Sequence, residues 1–341
     1  MRLGYVTGAT GCVGRNLVDE LLQSGDWDVV VLHRKSSDLS RLKGCDVRFQ
    51  EVDLYDAAST RASIQPDVDA IFHVAGNTSH WAREADQQWK DNVLVTRNLV
   101  EAALASRVKK FIFTSTGATL PYQGADERLT MEITDGYVRT KRLAELEIYK
   151  AMPRGLFAVL LHPIIVIGPY DYNNYAQIFS ALRSGKIKAA FPGRIAFCHA
   201  ADVARAHIQA FEKGRPFESY VLGGTYTTWL DAFQRIASVV GAPPPKAASP
   251  WALKIVAQAM AVASLFTRKE PMLTPDLVDL LDDGPDVSFC EQRKAKEELG
   301  YESRSLDAMI SDCHRWLLKE GRIATGQASP GHPWALGKSK D

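Results

Sequence analysis

The stretch Val6-Thr7-Gly8-Ala9-Thr10-Gly11-Cys12-Val13-Gly14, close to the start of the chain, decides the fold. An apolar run at residues 3–6 predicts a buried strand before it, and residues 15–22 predict an amphipathic helix behind it. A glycine triplet between strand and helix is typical of a dinucleotide-binding turn. The first glycine permits a tight turn, the second lets backbone approach a pyrophosphate, and the third lets helix and strand pack closely. The helix N-terminus then attracts the phosphates. The alternative is a glycine-rich turn that binds nothing.

Apolar runs alternate with helical patterns through the first half of the chain. Strands are predicted near residues 2–6, 28–32, 47–51, 70–74 and 110–115, and a long sixth strand at 157–167. Residues 87–106 and 137–152 predict crossover helices. This alternation predicts an α/β fold with a doubly wound parallel sheet of the Rossmann type and helices on both faces.

The second half of the chain predicts a smaller lobe. Residues 1–168 are expected to form the dinucleotide-binding core, to which segments near 195–225 return, and residues 169–322 to form mainly a substrate-binding lobe. Its helices are predicted near residues 174–184, 202–213, 228–240, 274–281, 290–299 and 305–320, with a disordered tail at 323–341.

The apolar segment 251–266 predicts a buried or groove-facing helix of that lobe. It contains Lys254 and Gln258 and is too short for a stable membrane span. The alternative is an interfacial helix near a lipophilic substrate.

The amino-acid composition indicates which kind of molecule the protein binds. With 41 basic and 40 acidic side chains among 341 residues, the net charge is +1, which favours a small molecule over nucleic acid or an anionic membrane. The five cysteines show no CxxC and no metal-ligand spacing, which predicts reduced thiols and no metal site. The first strand begins at once and leaves no room for a signal sequence, so a cytoplasmic location is expected.

Tyr137 and Lys141 are four residues apart in a predicted helix and therefore project from one face. An ordinary tyrosine has a pKa of about 10, and a nearby ammonium lowers it, so Lys141 is predicted to tune Tyr137 as an acid or base. Thr114-Ser115-Thr116 closes the fifth strand, where doubly wound sheets present ligand-facing groups. Together these groups can exchange a proton with a substrate oxygen while a hydride moves at carbon. Taken singly, an exposed helix pair and a strand-end cap are the commoner explanations.

These motifs together resemble those of the extended short-chain dehydrogenase/reductases, or NAD-dependent epimerase/dehydratase superfamily, over roughly residues 1–321. The motifs are TGATGCVG at residues 7–14, Asp53-Leu54, His73-Val74-Ala75-Gly76, FTST at 113–116, YVRTK at 137–141, His162-Pro163 and VIGP at 166–169. The chain is most similar to the group of dihydroflavonol reductases, 3β-hydroxysteroid dehydrogenases and bacterial sterol-dehydrogenase-like proteins, through residues 69–75, 92–99 and 198–204.

The resemblance implies a role for each matching residue. Tyr137 is implied as the acid/base, and Lys141 as its tuner and a ligand of the nicotinamide ribose. Thr116 is implied as the third catalytic group, with the adjacent Ser115 as the alternative. The implied cofactor contacts are Gly8, Thr10, Gly11, Cys12, Val13, Gly14, Asp53, Leu54, Val74, Ala75, Gly76, Asn92, Thr114, Tyr137, Lys141, Pro163 and Ile165. His199 and Asp202 are expected to organise the lobe, and Asp202 suits a helix N-cap.

The end of the second strand indicates which nicotinamide cofactor is preferred. An acidic residue there would bind the ribose 2′-hydroxyl of NAD, but the chain has His33, Arg34 and Lys35 instead. Arg34, with Lys35 beside it, can hold a 2′-phosphate through charge-assisted hydrogen bonds, so NADP(H) is predicted over NAD(H). The alternative is an exposed basic turn.

The leading hypothesis is an NADP(H)-dependent reductase or dehydrogenase that interconverts a carbonyl and an alcohol on a fairly apolar small molecule. A nucleotide-sugar epimerase or dehydratase is the alternative, because it uses the same residues on the same fold. A non-catalytic nucleotide sensor is a third possibility, which the intact Tyr137 and Lys141 disfavour. Substrate determinants are expected in the loops 77–83 and 117–127 and in the lobe. A monomer or homodimer is expected.

Overall fold

The computed structural model describes residues 1–267, 271, 273–275, 278 and 292–323. The strands are β1 (Arg2–Thr7), β2 (Trp27–His33), β3 (Arg48–Glu51), β4 (Ala70–His73), β5 (Lys110–Thr114), β6 (Ala158–Pro163), β7 (Ile165–Ile167), β8 (Ala189–Ala190), β9 (Arg194–His199), β10 (Ser219–Leu222), β11 (Thr225–Thr228) and β12 (Lys246–Ala247). The helices are α1 (Cys12–Ser24), α2 (Ala57–Ser63), α3 (Ala85–Trp89), α4 (Val95–Ala105), α5 (Glu127–Met131), α6 (Gly136–Ala151), α7 (Gln177–Arg183), α8 (Ala200–Lys213), α9 (Trp229–Val240), α10 (Pro250–Thr267) and α11 (Leu306–Lys319).

Within the described residues, seven parallel strands form the central sheet in the order β10-β6-β5-β4-β1-β2-β3. The strands β1, β2 and β3 follow one another toward one edge of the sheet, and β4, β5 and β6 follow one another toward the other edge. The direction in which strands are added therefore reverses between β1 and β4. Ligands of doubly wound sheets bind at the carboxyl edge beside such a reversal. The predicted Rossmann-type α/β fold is therefore confirmed, and its switch point lies between the ends of β1 and β4.

Apolar side chains of the strands and the flanking helices pack together on both faces of the sheet, as is usual for a parallel sheet. On β2, Val29 and Val31 face the layer that contains α1 and α8, whereas Val30 and Leu32 face the layer that contains α4 and α6. A third apolar cluster lies in the C-terminal lobe, where α9 and α11 contribute most of its residues. β10 joins the sheet beside β6, although the segments on either side of it belong to the lobe.

The predicted long strand at residues 157–167 is two strands in the structure, and this expectation was wrong. β6 ends at Pro163 in the central sheet, and β7 begins at Ile165 in a second sheet, of order β11-β9-β7. Proline has no N–H with which to continue a strand ladder, so the chain leaves the central sheet there. The break matters for the site, because it turns residues 163–165 across the carboxyl edge.

α10 occupies the apolar segment 251–266, for which a buried or groove-facing helix was expected, and only part of it is buried. Its outer face exposes Trp251, Ile255, Val262 and Phe266, while Ala257 is fully buried. Apolar residues run around the whole helix, and one helix face is all that can pack against a single lobe. No helix among the described residues has the length and apolar character needed to cross a membrane.

Several expectations lie outside the described residues. These are most of the predicted helix 274–281, the start of the helix 290–299, and all but the first residue of the tail 323–341.

Candidate functional site

The glycine turn, residues 8–14, joins β1 to α1. Gly8 has a φ of 72°, and a Cβ on Gly14 would lie 2.1 Å from the carbonyl oxygen of Gly8, so a larger residue at position 14 does not fit. α1 begins at Cys12 with Gly11 as its N-cap, and Gly11 has no side chain that could accept a hydrogen bond from the first turn. The first N–H groups of a helix have no partner within that helix, so those of α1, beside Thr10 and Val13, suit the pyrophosphate of a dinucleotide.

The end of β4 packs directly on the glycine turn. A Cβ on Gly8 would lie 2.6 Å from the backbone nitrogen of Ala75, which explains why position 8 has no side chain. The amide of Ala75 donates to the hydroxyl of Thr7 at 3.2 Å, which ties the two strand ends together. Residues 74–76 and the glycine turn therefore form one continuous backbone surface.

A buried histidine fixes this surface from below. His73 Nδ1 lies 2.8 Å from the hydroxyl of Thr7, and Nε2 lies 2.9 Å from the hydroxyl of Thr96. Thr96 donates its own proton to the carbonyl of Asn92, so it accepts from His73, and Thr7 donates to the other ring nitrogen. Burial lowers the pKa of His73 to about 3, which keeps the ring neutral.

Asn92 lies in a π-helical segment, Lys90–Leu94, that joins α3 to α4 without a break. Its amide oxygen accepts from the backbone N–H of Asn77 at 2.7 Å, and its amide nitrogen donates to Thr140 of α6 at 3.0 Å. A single π-helical turn inside a longer helix often lies at a functional site. Here it brings α4, α6 and the loop after β4 into contact.

Tyr137 and Lys141 lie on α6 beneath the end of β5. Lys141 Nζ donates to the carbonyl of Thr114 at 2.6 Å and sits 4.2 Å from the centre of the Phe113 ring. The hydroxyl of Thr116 accepts from the amide of Ala118 at 3.3 Å and lies close enough to the phenol of Tyr137 to oppose the rise of its pKa. The phenol, the ammonium and the strand-end hydroxyl are therefore brought together.

The pKa values of this pair differ from the expectation for Tyr137. Burial raises the pKa of Tyr137 to about 12, and the hydrogen bond from Thr116 opposes this rise. Lys141 does not lower it in this arrangement, because its ammonium is directed to the Thr114 carbonyl. Burial also lowers the pKa of Lys141 to about 8. At neutral pH the phenol carries its proton, and most Lys141 side chains are charged.

Ser115 and Thr116 point in different directions. The hydroxyl of Ser115 donates to the buried carboxylate of Glu145, away from Tyr137. Thr116 is the residue whose hydroxyl lies near the phenol and opposes the rise of its pKa. The hydroxyl of Thr114 also turns away and pairs with Nε2 of His207 at 2.7 Å, so its backbone carbonyl is what faces Lys141.

Behind this strand end lies a buried ion pair that the motifs did not reveal. Glu145 is fully buried, and its Oε2 accepts from Arg142 at 2.8 Å, itself 3% exposed. Glu145 Oε1 also accepts from Thr119 at 2.7 Å, and His162 lies 3.7 Å away. Glu145 follows Lys141 by four residues, so its position on the same helix face was the signal available in the sequence.

The part of the site that is predicted to bind the adenosine half of the cofactor is more exposed to solvent. Arg34 is exposed and lies 3.6 Å from Asp91, and Lys35 is exposed beside it. Asp53 uses its carboxylate to accept from the backbone N–H of Tyr55, so it shapes its own loop. Leu54 is buried next to this loop.

One further cation was missed by the motif reading. Arg41 donates to the carbonyl of Thr10 at 3.3 Å, pairs with Asp38 and stacks over the ring of Tyr172. It adds a positive charge beside the glycine turn. Like Arg34, it belongs to the segment that follows β2.

Residues 163–165 cross the carboxyl edge next to Thr116. A Cβ on Gly117 would lie 2.2 Å from the side chain of Ile164 and 3.6 Å from the carbonyl of Pro163. Ile165 is the first residue of β7 and pairs with Phe197 of β9. The turn after β5 therefore packs against Ile164 and the backbone of the predicted Pro163, whereas the predicted Ile165 pairs with β9.

Two loops complete the rim above Tyr137. His80 Nδ1 pairs with Asp135 at 2.7 Å, and the His80 ring meets the edge of the Tyr137 ring at 5.2 Å. Asp135 also caps α6 by accepting from the amide of Val138. From the other side, burial raises the pKa of Tyr175, and the nearby Tyr137 raises it further. The sequence predicted the loop 77–83, which holds His80, as part of the site, but it pointed to neither His80 nor Asp135, which lies beyond the predicted loop 117–127.

His199 and Asp202 lie away from the phenol, at the start of α8. The expectation that Asp202 caps this helix was wrong, because His199 is the N-cap and accepts from the amide of Ala201 at 3.1 Å. Asp202 instead accepts from the backbone N–H of Arg304 at 2.9 Å. Both residues therefore tie α8 to neighbouring segments.

A Rossmann-type sheet with this glycine turn and a Tyr/Lys pair at its carboxyl edge defines an NAD(P)-dependent enzyme of the extended short-chain dehydrogenase/reductase type. Residues 5–223 match the NAD dependent epimerase/dehydratase family, and the chain belongs to this family. The resemblance inferred from the motifs is thereby confirmed.

Individual relatives cover nearly the whole chain. A Methylococcus capsulatus protein named sterol demethylase protein B is 28% identical over 334 residues, which cover 93% of this chain and 99% of that protein. A putative dihydroflavonol 4-reductase of Synechocystis sp. is 26% identical over 337 residues, covering 94% and 96%. The crystal structure of gox2253 matches with a TM-score of 0.79 and 28% identity, over 95% of this chain and 100% of that one.

Proposed function

We propose that this protein is an NADP(H)-dependent reductase that interconverts a carbonyl and an alcohol on a fairly apolar small molecule. The observation that carries the proposal is the position of Tyr137 and Lys141 four residues apart on α6 at the end of β5, with the hydroxyl of Thr116 near the phenol. The relative from Synechocystis sp., named as a putative reductase, supports the same class of reaction.

The glycine turn and residues 74–76 fit a nicotinamide dinucleotide, because side chains are excluded where its pyrophosphate would approach. When bound, this cofactor supplies or accepts the hydride. Arg34 and Lys35 are proposed to favour the 2′-phosphate of NADP(H), with Arg41 as a third cation beside Thr10.

In the proposed reaction, protein side chains supply the proton that the substrate oxygen receives. Thr116 accepts from the amide of Ala118, which leaves its own proton for the phenol oxygen of Tyr137. The proton of Tyr137 is then free for a substrate carbonyl oxygen, and its raised pKa keeps it in place at neutral pH. In the free protein the ammonium of Lys141 donates to the Thr114 carbonyl; with the cofactor bound, Lys141 is proposed to hold the nicotinamide ribose and to stabilise the phenolate that remains after transfer. The free protein is therefore prepared for reduction.

An apolar substrate is supported by the groups around the phenol. Tyr175 and the ring of His80 approach Tyr137, and Ile164 lies over Gly117 nearby. Rings and aliphatic side chains of this kind form most of the lining of small-molecule sites, with a few polar groups that orient the ligand.

The test is NADPH absorbance over time against ketones, aldehydes, sterols and nucleotide sugars, with product analysis of each mixture. We expect stoichiometric loss of NADPH with an apolar carbonyl compound. Tyr137→Phe should lower kcat at least about 100-fold, since a positioned acid contributes that much, and leave NADPH binding by fluorescence nearly unchanged.

Tyr226→Phe is the matched control, because Tyr226 is exposed on β11 and its loss should leave turnover as in the wild type. Wild-type turnover by Tyr137→Phe would remove the mechanism. An altered nucleotide sugar without net loss of NADPH would instead identify an epimerase or dehydratase.

A further inference from the structure

The strand end that carries Thr116 is held by a charge that lies outside the proposed reaction. Glu145 is fully buried on α6, one helical turn beyond Lys141. It accepts hydrogen bonds from Ser115 at the end of β5 and from Thr119 in the 3-10 turn Gly117–Tyr122. Thr116 lies between these two donors in the sequence. The backbone around Thr116 is therefore clamped from both sides by one carboxylate.

Further bonds make this clamp rigid. Arg142 neutralises Glu145 and also donates to the carbonyl of Ala125 at 3.0 Å, which fixes the far side of the loop after β5. His162 of β6 lies 3.1 Å from the carbonyl of Thr116 and 3.3 Å from the hydroxyl of Thr119. A carboxylate with two hydroxyl donors and a paired guanidinium is stable in a dry interior, whereas an unpaired carboxylate is not.

We propose that Glu145 is a positioning residue for the reaction, which aligns Thr116 with Tyr137 through Ser115 and Thr119 and whose negative charge keeps Lys141 protonated. This inference rests on the proposed function, since it assigns Glu145 a role in the same site. Glu145 touches neither the phenol nor the ammonium directly, so its action on the reaction is indirect.

The electrostatic half of the inference follows from where the charges lie. Burial lowers the pKa of Lys141, and the carboxylate of Glu145 opposes that fall. Arg142 and Tyr149 face Glu145 from the same helix, and His162 faces it from β6. Burial lowers the pKa of His162, so this ring is neutral near pH 7.

His73, at the end of β4, is the other titratable ring near Lys141, and it is neutral as well. Tyr137 carries no charge at neutral pH because burial raises its pKa to about 12. Glu145 is therefore the anion that favours a charged Lys141.

The first experiment requires neither cofactor nor substrate. Lysine labelled with 13C at Cε reports the titration of Lys141 by NMR, and the resonance is assigned by its loss in Lys141→Arg. In the wild type Lys141 should titrate near pH 8. Glu145→Gln, which keeps the shape but removes the charge, should lower this midpoint by about one pH unit or more, as expected for the loss of a nearby opposite charge.

Glu147→Gln is the matched control. Glu147 lies on the same helix but pairs with Arg97 at 2.9 Å on the outer surface, so its loss should leave the Lys141 midpoint unchanged. If Glu145→Gln does not melt cooperatively, Arg142→Gln combined with Glu145→Gln leaves neither charge unpaired. The Lys141 midpoint should fall equally in this double variant, because Glu145 is the charged group that raises the pKa of Lys141.

The second experiment follows kcat/KM for carbonyl reduction against pH. Reduction requires protonated groups, so its rate falls on the alkaline side, and this limb should move to lower pH in Glu145→Gln. Glu145→Asp keeps the charge but shortens the reach to Ser115 and Thr119. It should lower kcat about tenfold without moving the limb, because misalignment of about 1 Å is costly.

The two proposals fail in different ways. An equal Lys141 midpoint in the wild type and Glu145→Gln, or an equal shift in Glu147→Gln, overturns the role of Glu145 even if the enzyme reduces carbonyls. A lowered midpoint in a protein that reduces no carbonyl supports the coupling and overturns the proposed function.

Discussion

The glycine turn after β1 and the strand end after β5 lie at the same edge of one sheet, but they are held in different ways. The turn is shaped chiefly by close packing of its own backbone, since a Cβ on Gly14 would lie 2.1 Å from the Gly8 carbonyl. The strand end depends on side chains from elsewhere, such as His162, which lies 46 residues along the chain from its partner Thr116. A local motif specifies the first region, whereas the second exists only once the chain has folded.

The glycine turn should tolerate the least change, and this is the largest effect we expect. Gly14→Ala places a methyl group against the Gly8 carbonyl, which forces α1 away from β1. NADPH affinity should fall at least about 100-fold, and the overpacking should cost about 1–3 kcal/mol of folding stability. Fluorescence titration and thermal melting measure the two effects.

Gly11→Ala sharpens this prediction, because its Cβ would lie 3.3 Å from the same Gly8 carbonyl. Its effect on binding should be clearly smaller than that of Gly14→Ala. Equal effects would mean that close packing of the helix on the strand is not what the third glycine provides.

At the end of β5, substitutions of the two adjacent hydroxyl residues should have very different effects on kcat. Thr116→Val keeps the shape but removes the hydroxyl beside the phenol of Tyr137, and kcat should fall about 100-fold, as for other donors at a reacting oxygen. Ser115→Ala removes one of several donors to Glu145 and should lower kcat less than about fivefold, since a single neutral hydrogen bond contributes modestly. Steady-state kinetics with the identified carbonyl substrate measures both.

A loss of activity in Ser115→Ala as large as that in Thr116→Val would contradict the assignment of the catalytic hydroxyl. Thr116→Ser, which restores a hydroxyl, should recover most of the rate.

The smallest effect is expected at the exposed adenosine end. Arg34→Ala should weaken NADPH binding about tenfold and leave NADH binding unchanged, because one exposed charge-assisted contact to a phosphate is lost. Arg48→Ala, an exposed residue of β3 paired with Asp28, is the control and should change neither affinity. Unchanged NADPH affinity in Arg34→Ala would remove the basis for a preference for NADP(H).

Most of the central sheet was predictable from the sequence, because buried parallel strands are nearly continuous apolar runs. The predicted and observed strands at 28–32 and 110–115 differ by one residue at their ends. The break between β6 and β7 was missed, since both halves are apolar and the sequence does not say that the second half joins another sheet. The extent to which α10 is buried was not predictable for a related reason, as an apolar segment does not specify how much surface is available to cover it.

The site was predictable in its parts but not in its contacts. Tyr137 and Lys141 share a face of α6 at helical spacing, so their proximity followed from sequence. The choice between Ser115 and Thr116 did not follow, because it depends on Glu145 drawing one hydroxyl inward. The pairing of His80 with Asp135 joins two loops that no spacing relates.

By itself, the sequence determined the Rossmann-type sheet, the glycine turn and the helix that carries Tyr137 and Lys141. Each of these depends on local conformation or on a repeat of two or 3.6 residues, which a linear pattern records. Only the tertiary structure decided which hydroxyl faces the phenol, that Lys141 binds the Thr114 carbonyl, and that Glu145 lies buried behind both. The physical reason is that burial and hydrogen-bond partners arise from residues distant in the chain, and these set the direction and the pKa of each side chain.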